Sequence, residues 1–271
     1  DSGTQRLRPS RRKPPGQHPT GSWITLKPSP VLPSARCPPA EHPMDTASLN
    51  EAFQTAGLTP RGAFHPEPQD NVPDIGPGQP TATLVLAGNA GPHMWHAFSA
   101  CRDPAHTLLD DWSRDVLAPL AKSFGGLALY PFQKPHLPFQ RWAQKAEPCH
   151  ASPLGMLIHP DHGLWHGYRG ALALGDKLQL APADQRPSPC DACSDKPCLT
   201  TCPVNAFGVS GYDVPACARH LNSPAGADCM ELGCRARRAC AEGKTARYQP
   251  AQAAFHMKAF LKARRADGVL I

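Results

Sequence analysis

The chain has 271 residues, enough for one large domain or two small ones, with a formal net charge of +6 and eleven cysteines. Residues 1–43 carry +5 of that charge and ten of the 33 prolines, so residues 44–271 carry only +1 and lack the electrostatic footprint of a DNA- or RNA-binding protein. The odd cysteine count, with no apolar run suited to a signal peptide or a membrane span, argues against a secreted disulfide scaffold or a membrane protein and for a reducing, cytoplasmic setting.

Residues 1–43 cannot bury enough surface to offset their ordering entropy and read as a disordered, Pro-rich basic tail, either dispensable or translated upstream of the native start. A tail that docks a partner is the alternative. From Met44 the pattern changes: Ser48 is expected to cap a short helix bearing Leu49, Ala52 and Phe53. Residues 65–80 are a Pro/Gly-rich connection. "TATLVLAGNAG" (81–91) predicts a buried strand ending in a glycine turn.

Residues 106–124 predict an amphipathic helix with Leu108, Leu109, Trp112, Val116, Leu117, Leu120 and Phe124 on its apolar side. Pro119 should kink or split it, and Gly125-Gly126 should stop it. "LALYPF" (127–132) predicts a strand, and 138–147 a short helix with proline near its start. Residues 154–178 predict a hairpin: an apolar strand, a turn at Pro160–Gly163, and a strand through Ala171–Leu174. On that second strand His166, Tyr168 and Gly170 are expected on one face, and Trp165, Gly167 and Arg169 on the other. Alternating strands and helices imply an α+β or α/β layer. Beyond Pro187 apolar periodicity fades and cysteines crowd together, so stability there needs metal or disulfides. Residues 249–268 predict a helix using Ala253, Phe255, Met257, Phe260 and Leu261, with Lys262, Arg264 and Arg265 near its end.

The cysteines carry the chemistry. Cys190-x2-Cys193-x4-Cys198-x3-Cys202-Pro203 differs from the bacterial ferredoxin run C-x2-C-x2-C-x3-C-P by two extra residues between its second and third cysteines. Cys217, Cys229, Cys234 and Cys240 follow, making eight cysteines within 51 residues. One [4Fe–4S] cluster uses four, and in two-cluster ferredoxins the fourth cysteine of each run serves the other cluster. That rule assigns Cys190, Cys193, Cys198 and Cys240 to one cluster and Cys202, Cys217, Cys229 and Cys234 to the other. One cluster plus structural thiols remains open, as do a zinc site and, least favoured, disulfides. Cys37, Cys101 and Cys149 read as buried or incidental thiols.

Other chemistry is sparser. "HPDHGLWHGYRG" gathers His159, His162, His166, Tyr168 and Arg169. It reads either as a polar wall for a cofactor or substrate, with His159, His166, Tyr168 and Arg169 as candidates, or as a turn with surface histidines. Arg235, Arg237 and Arg238 lie between Cys234 and Cys240, where they could raise a cluster potential, dock an acidic partner, or form a solvated basic face. "GPGQP" is no phosphate loop, and no Ser-His-Asp or Cys-His arrangement is legible.

The run ending "CPVNAF", the isolated Cys217 in "VPACARHL" and the later cysteine group resemble the ferredoxin half of epoxyqueuosine reductases and the related corrinoid-dependent reductive dehalogenases. "IHPDHGLWHGYRGALAL" is similar to a stretch of cobalamin-processing proteins. The resemblance implies that Cys217 belongs to the second cluster. It also implies that the N-terminal α/β layer is flavin-reductase-like and able to hold a corrinoid or flavin. The expected organisation is a tail (1–43), an α/β domain (44–186), a two-cluster ferredoxin-like domain (187–245) and a C-terminal helix (246–271). The expected activity is one-electron transfer to a redox partner protein or a small-molecule acceptor. The alternative is an oxidoreductase related to epoxyqueuosine reductase, its clusters reducing a corrinoid or flavin.

Overall fold

The computed structural model describes residues 45–101, 108–208 and 210–269. The expected tail and Cys37 lie outside the described residues, as do positions 106 and 107 of the expected amphipathic helix. Residues Ala40–Ile271 form one compact unit.

Helix α1 (Thr46–Thr55) begins on a carboxylate: Asp45 accepts the Ser48 N–H at 2.7 Å. The cap is Asp45 and not the expected Ser48, which lies inside the first turn as the donor. Leu49 and Phe53, one turn apart, are the buried residues of this helix.

Strand β1 (Thr59–Phe64) pairs antiparallel with β2 (Thr83–Ala90). The sequence pattern does not announce β1, because Pro60, Arg61 and Gly62 interrupt any alternation. The register slips between Pro60 and Ala63, and Gly62 sits at φ +72°, where a Cβ would lie 2.4 Å from the Ala146 carbonyl oxygen. Only glycine fits there. In β2 the expected buried strand is present. Val85 and Ala87 face α1, α2 (His93–Cys101) and α3 (Leu109–Ser123), while Leu84 and Leu86 face α4 (Phe139–Ala146). Helices therefore cover both faces of the strand.

Pro119 lies within one continuous α3, so the expected division does not occur. Leu108 precedes the helix and is 60% exposed, outside the apolar face expected to include it. Gly125 ends the helix at φ +63°. Strand β3 (Leu127–Leu129) is shorter than expected, and Tyr130 leaves the sheet to stack on Phe132 with ring centroids 5.2 Å apart. Pro138 caps α4.

The expected hairpin is not formed. β4 (His150–Ala151) pairs with β5 (Leu157–Ile158), whereas β6 (His166–Leu174) enters the main sheet, whose order is β1-β2-β6-β3 with every pairing antiparallel. The reason lies in β6 itself: Ala171, Leu172, Ala173 and Leu174 are fully buried, so both faces need cover and both edges need partners. The intervening turn is closed locally by His159 and Gly163, which exchange backbone hydrogen bonds of 2.9 and 2.8 Å. The fold class is α+β.

Short elements carry the cysteine-rich segment: α5 (Pro197–Thr200), the ribbon β7 (Phe207–Gly208) with β8 (Gly211–Tyr212), α6 (Val214–Leu221), α7 (Ala227–Leu232) and α8 (Arg235–Ala239). Their small core contains Leu154, Ile158, Leu164, Cys202, Ala206 and Ala236, with five further cysteines packed against it. Helix α9 (Pro250–Ala266) joins this region to the main core. Its Phe255 lies 5.3 Å from Trp95 and 5.4 Å from Phe98, while Met257, Phe260 and Leu261 pack with Leu221 and Cys229. Among the described residues no helix is long and apolar enough to cross a membrane.

Candidate metal centre

The eight clustered cysteines come from loops and helix ends. Cys190 and Cys193 precede α5, Cys198 lies in it and Cys202 follows it; Cys217 is on α6, Cys229 on α7, and Cys234 and Cys240 flank α8. Two left-handed residues, Lys196 at φ 39° and Asn205 at φ 47°, bracket the segment that carries Cys198 and Cys202 and turn the chain on either side of it. The ten described cysteines are free thiols.

The fold sorts these thiols into two groups of four. Burial raises Cys190 and Cys198 above the ordinary thiol range, and Cys240 and Cys193 push both further. Cys240 is raised by burial and by neighbours that include Cys193. In the second group burial pushes Cys217 up to about 11, with Cys234, Cys202 and Cys229 adding to it. Cys229 and Cys234 are raised by burial and both feel Cys202. The groups are Cys190, Cys193, Cys198 and Cys240, and Cys202, Cys217, Cys229 and Cys234.

The second group rings a cavity of about 480 Å³ whose other walls are mostly apolar, among them Met156, Val204, Phe207, Met257 and Phe260. A void of that size lies far outside ordinary packing defects and within the range of ligand sites. Donors are aimed at the sulfurs. The Ala206 N–H donates to Cys202 Sγ at 3.3 Å. The backbone N–H groups of Arg235, of Ala236 and Arg237, and of Glu242 hold down the thiols of Cys229, Cys234 and Cys240 against the effect of burial, and the Tyr212 hydroxyl does so for Cys217. Such donors favour the thiolate over the thiol. Among the described residues, no three His, Cys, Asp or Glu side chains converge tightly enough to hold a single metal ion.

The cavity also has polar groups without protein partners. Trp165 and His256 line it, and the indole Nε1 and imidazole Nε2 are buried without a hydrogen-bond partner; so is the amide of Gln252, one turn before His256 on α9. Of the three arginines near Cys234, two share one carboxylate: Asp228 binds Arg238 and lies 3.6 Å from Arg235. Arg237 turns inward to the Leu164 carbonyl. The three do not form the uniform basic face that the sequence allowed.

The expected polar wall is divided by the sheet. Between Tyr168 and Gly170 the register of β6 slips, leaving Arg169 as an extra, bulged residue. Arg169 therefore binds Ser113 (2.9 Å) and Asp110 on the α3 side, and Gly170 also faces α3, where a Cβ would lie 2.4 Å from Leu117. Gly170 does not share a face with His166 and Tyr168, contrary to strict alternation. His159, His166 and Tyr168 gather on the other side around residues that the sequence did not mark: Arg61, Glu147 and Cys149. Glu147 accepts from Arg61 at 2.9 and 2.7 Å and from the Tyr168 hydroxyl. Arg61 also donates to His166 Nδ1 at 3.1 Å, and Cys149 Sγ lies 3.2 Å from the Tyr168 oxygen. No local spacing could have joined Arg61 to Glu147, 86 positions apart.

Three histidines are buried as neutral rings. Burial holds His159 and His256 down to about 4 and His166 to about 2, with Arg61 acting against His166 and Arg237 against His256. An unfolded histidine takes up its proton near pH 6.5, so the unfolded chain binds more protons as pH falls below that value. Stability should therefore drop from about pH 6.5 down to about pH 4 by about 1.4 kcal/mol per pH unit for each such histidine, and only the His166 contribution should continue below that. A denaturant midpoint that falls from pH 7 to pH 5, with a flatter dependence in His256→Gln, is the expected result. An unchanged midpoint would contradict neutral burial.

No family model matches the chain, and no curated protein matches it. The class assignment therefore rests on its own geometry: an α+β protein with two groups of four thiols.

Proposed function

We propose that the chain is an electron-transfer protein of ferredoxin type that holds two [4Fe–4S] clusters. Cys190, Cys193, Cys198 and Cys240 would hold one, and Cys202, Cys217, Cys229 and Cys234 the other. The observation that carries this reading is that four thiols line one cavity, with the Ala206 N–H donated to the sulfur of Cys202. A cubane cluster gives each thiolate its own iron, so its ligands stand apart around a core, whereas zinc draws four sulfurs to about 2.3 Å from one ion. The donor set fits the cluster. When bound, it supplies a one-electron couple.

The protein's own part is to keep that couple stable and connected. Apolar walls exclude water, N–H groups stabilise negative sulfur, and α9 ties the region to the main core. The physiological counterpart is a redox partner protein or a small-molecule acceptor. The alternative, a reductase whose α/β layer holds a corrinoid or flavin, rests on the resemblance to epoxyqueuosine reductases and dehalogenases. Of the residues expected to face that cofactor, His166 and Tyr168 are engaged with Arg61 and Glu147, and Arg169 with Asp110.

The test is iron and acid-labile sulfide on the full chain purified without oxygen. About eight irons per chain is the expected result for eight thiolate ligands in two clusters. Zinc in place of iron would overturn the reading, and about four irons would reduce it to one cluster. A flavin or corrinoid spectrum would select the reductase.

A further inference from the structure

Arg237 is held in an unusual way. Its Nε and Nη2 donate to the Leu164 carbonyl at 3.0 and 2.6 Å. Its guanidinium lies against an edge-to-face pair of rings, 4.3 Å from the centroid of Trp165 and 4.6 Å from that of Tyr248, which are 5.4 Å from each other. Tyr248 is itself anchored, accepting from Asn89 at 2.7 Å. Among the described residues no carboxylate pairs with Arg237, although its neighbours Arg235 and Arg238 both use Asp228.

This guanidinium lines the cavity ringed by Cys202, Cys217, Cys229 and Cys234. Trp165, 2% exposed, lines the same cavity with its indole N–H unsatisfied. A positive charge without a carboxylate partner and a buried, unsatisfied indole N–H, both on residues that line a partly closed space, are costly unless something negative lies near them. Four thiolates around an iron–sulfur core are negative, and one added electron makes them more so.

We propose that Arg237 and Trp165 are positioning residues that raise the reduction potential of the second cluster selectively. The inference rests on the two-cluster reading above. A cation favours the reduced, more negative state over the oxidised one, and an N–H directed at the core does the same. The step is the transfer of one electron from an external low-potential reductant to the cluster, with no bond made or broken. The two rings packed against Arg237 and the Leu164 carbonyl hold the half-buried charge in place.

The experiment is a redox titration of the iron-loaded full chain with dithionite, followed by electron paramagnetic resonance. Wild type should show two one-electron waves. In Arg237→Gln one wave should move to lower potential while the other stays, and Arg237→Lys should restore most of the shift by restoring the charge. Trp165→Phe keeps an aromatic ring against Arg237 and removes the N–H together with part of the indole, so it should lower the same wave even if Arg237→Gln fails to fold. Unmoved waves in iron-replete Arg237→Gln or Trp165→Phe, or both waves moving together, would overturn this inference and leave the proposed function standing. A wild-type chain without iron would overturn both.

Discussion

Cys202→Ala is expected to halve the iron of the chain, from about eight to about four per molecule. Cys202 is 8% exposed, accepts the Ala206 N–H and belongs to the small core with Leu154, Leu164 and Ala236. It sits four residues past Cys198 in sequence but in the other thiol group, the one around the cavity. Its loss should therefore empty the second site and spare the first. Removing the sulfur from a well-packed spot costs only on the order of 1–2 kcal/mol by packing alone. Where ligand binding and folding are coupled, the loss is larger, because binding free energy is folding free energy. A fall in stability well beyond the packing figure, with iron halved, is the outcome expected; full iron in the variant would sink the ligand assignment. Cys101→Ala, at an exposed thiol, serves as the control and should retain its iron.

Glu147→Ala is expected to be the most damaging change in the α/β layer, costing about 3–5 kcal/mol in denaturant unfolding. The Arg61 side chain is 0% exposed, and Glu147 is its only carboxylate partner among the described residues. Truncation leaves a buried guanidinium unpaired and removes the acceptor of the Tyr168 hydroxyl. The double variant Arg61→Met/Glu147→Leu should recover much of the loss, because replacing both ions by apolar groups removes the desolvation cost as well. A cost below about 1 kcal/mol for Glu147→Ala would show that water reaches the pair and screens it.

What could be read in advance follows from the range of the forces concerned. β2 was legible because a run of apolar residues covered on both faces has no other comfortable place than the centre of a layer. The helices α3 and α9 were legible from their spacing, although Leu108 was assigned to a face it does not join. The thiol-rich segment was legible because ligands of one cluster lie close in sequence when a single loop supplies most of them. The Asp45 cap was missed by three residues, since Asp and Ser compete for the same role and only backbone direction decides between them.

Local pattern failed wherever a partner came from far along the chain. β1 reads as a loop until β2 lies beside it and Ala146 closes on Gly62. The two arms of the expected hairpin are adjacent in sequence, yet β6 pairs with strands 83–90 and 127–129 because its buried run must be covered on both sides. The bulge at Arg169 sends that side chain to α3 and separates it from Tyr168.

By itself the sequence determined the crowding of eight cysteines between positions 190 and 240, the α+β class and the main helices, since residue type and short spacing suffice for those. Only the tertiary structure decided which strands are neighbours, that Glu147 answers Arg61, and that Arg237 faces the cavity while Arg235 and Arg238 turn to Asp228. Those outcomes depend on burial and on charges brought together across many tens of residues, where the desolvation of each group is set by the whole fold and not by its neighbours in the chain.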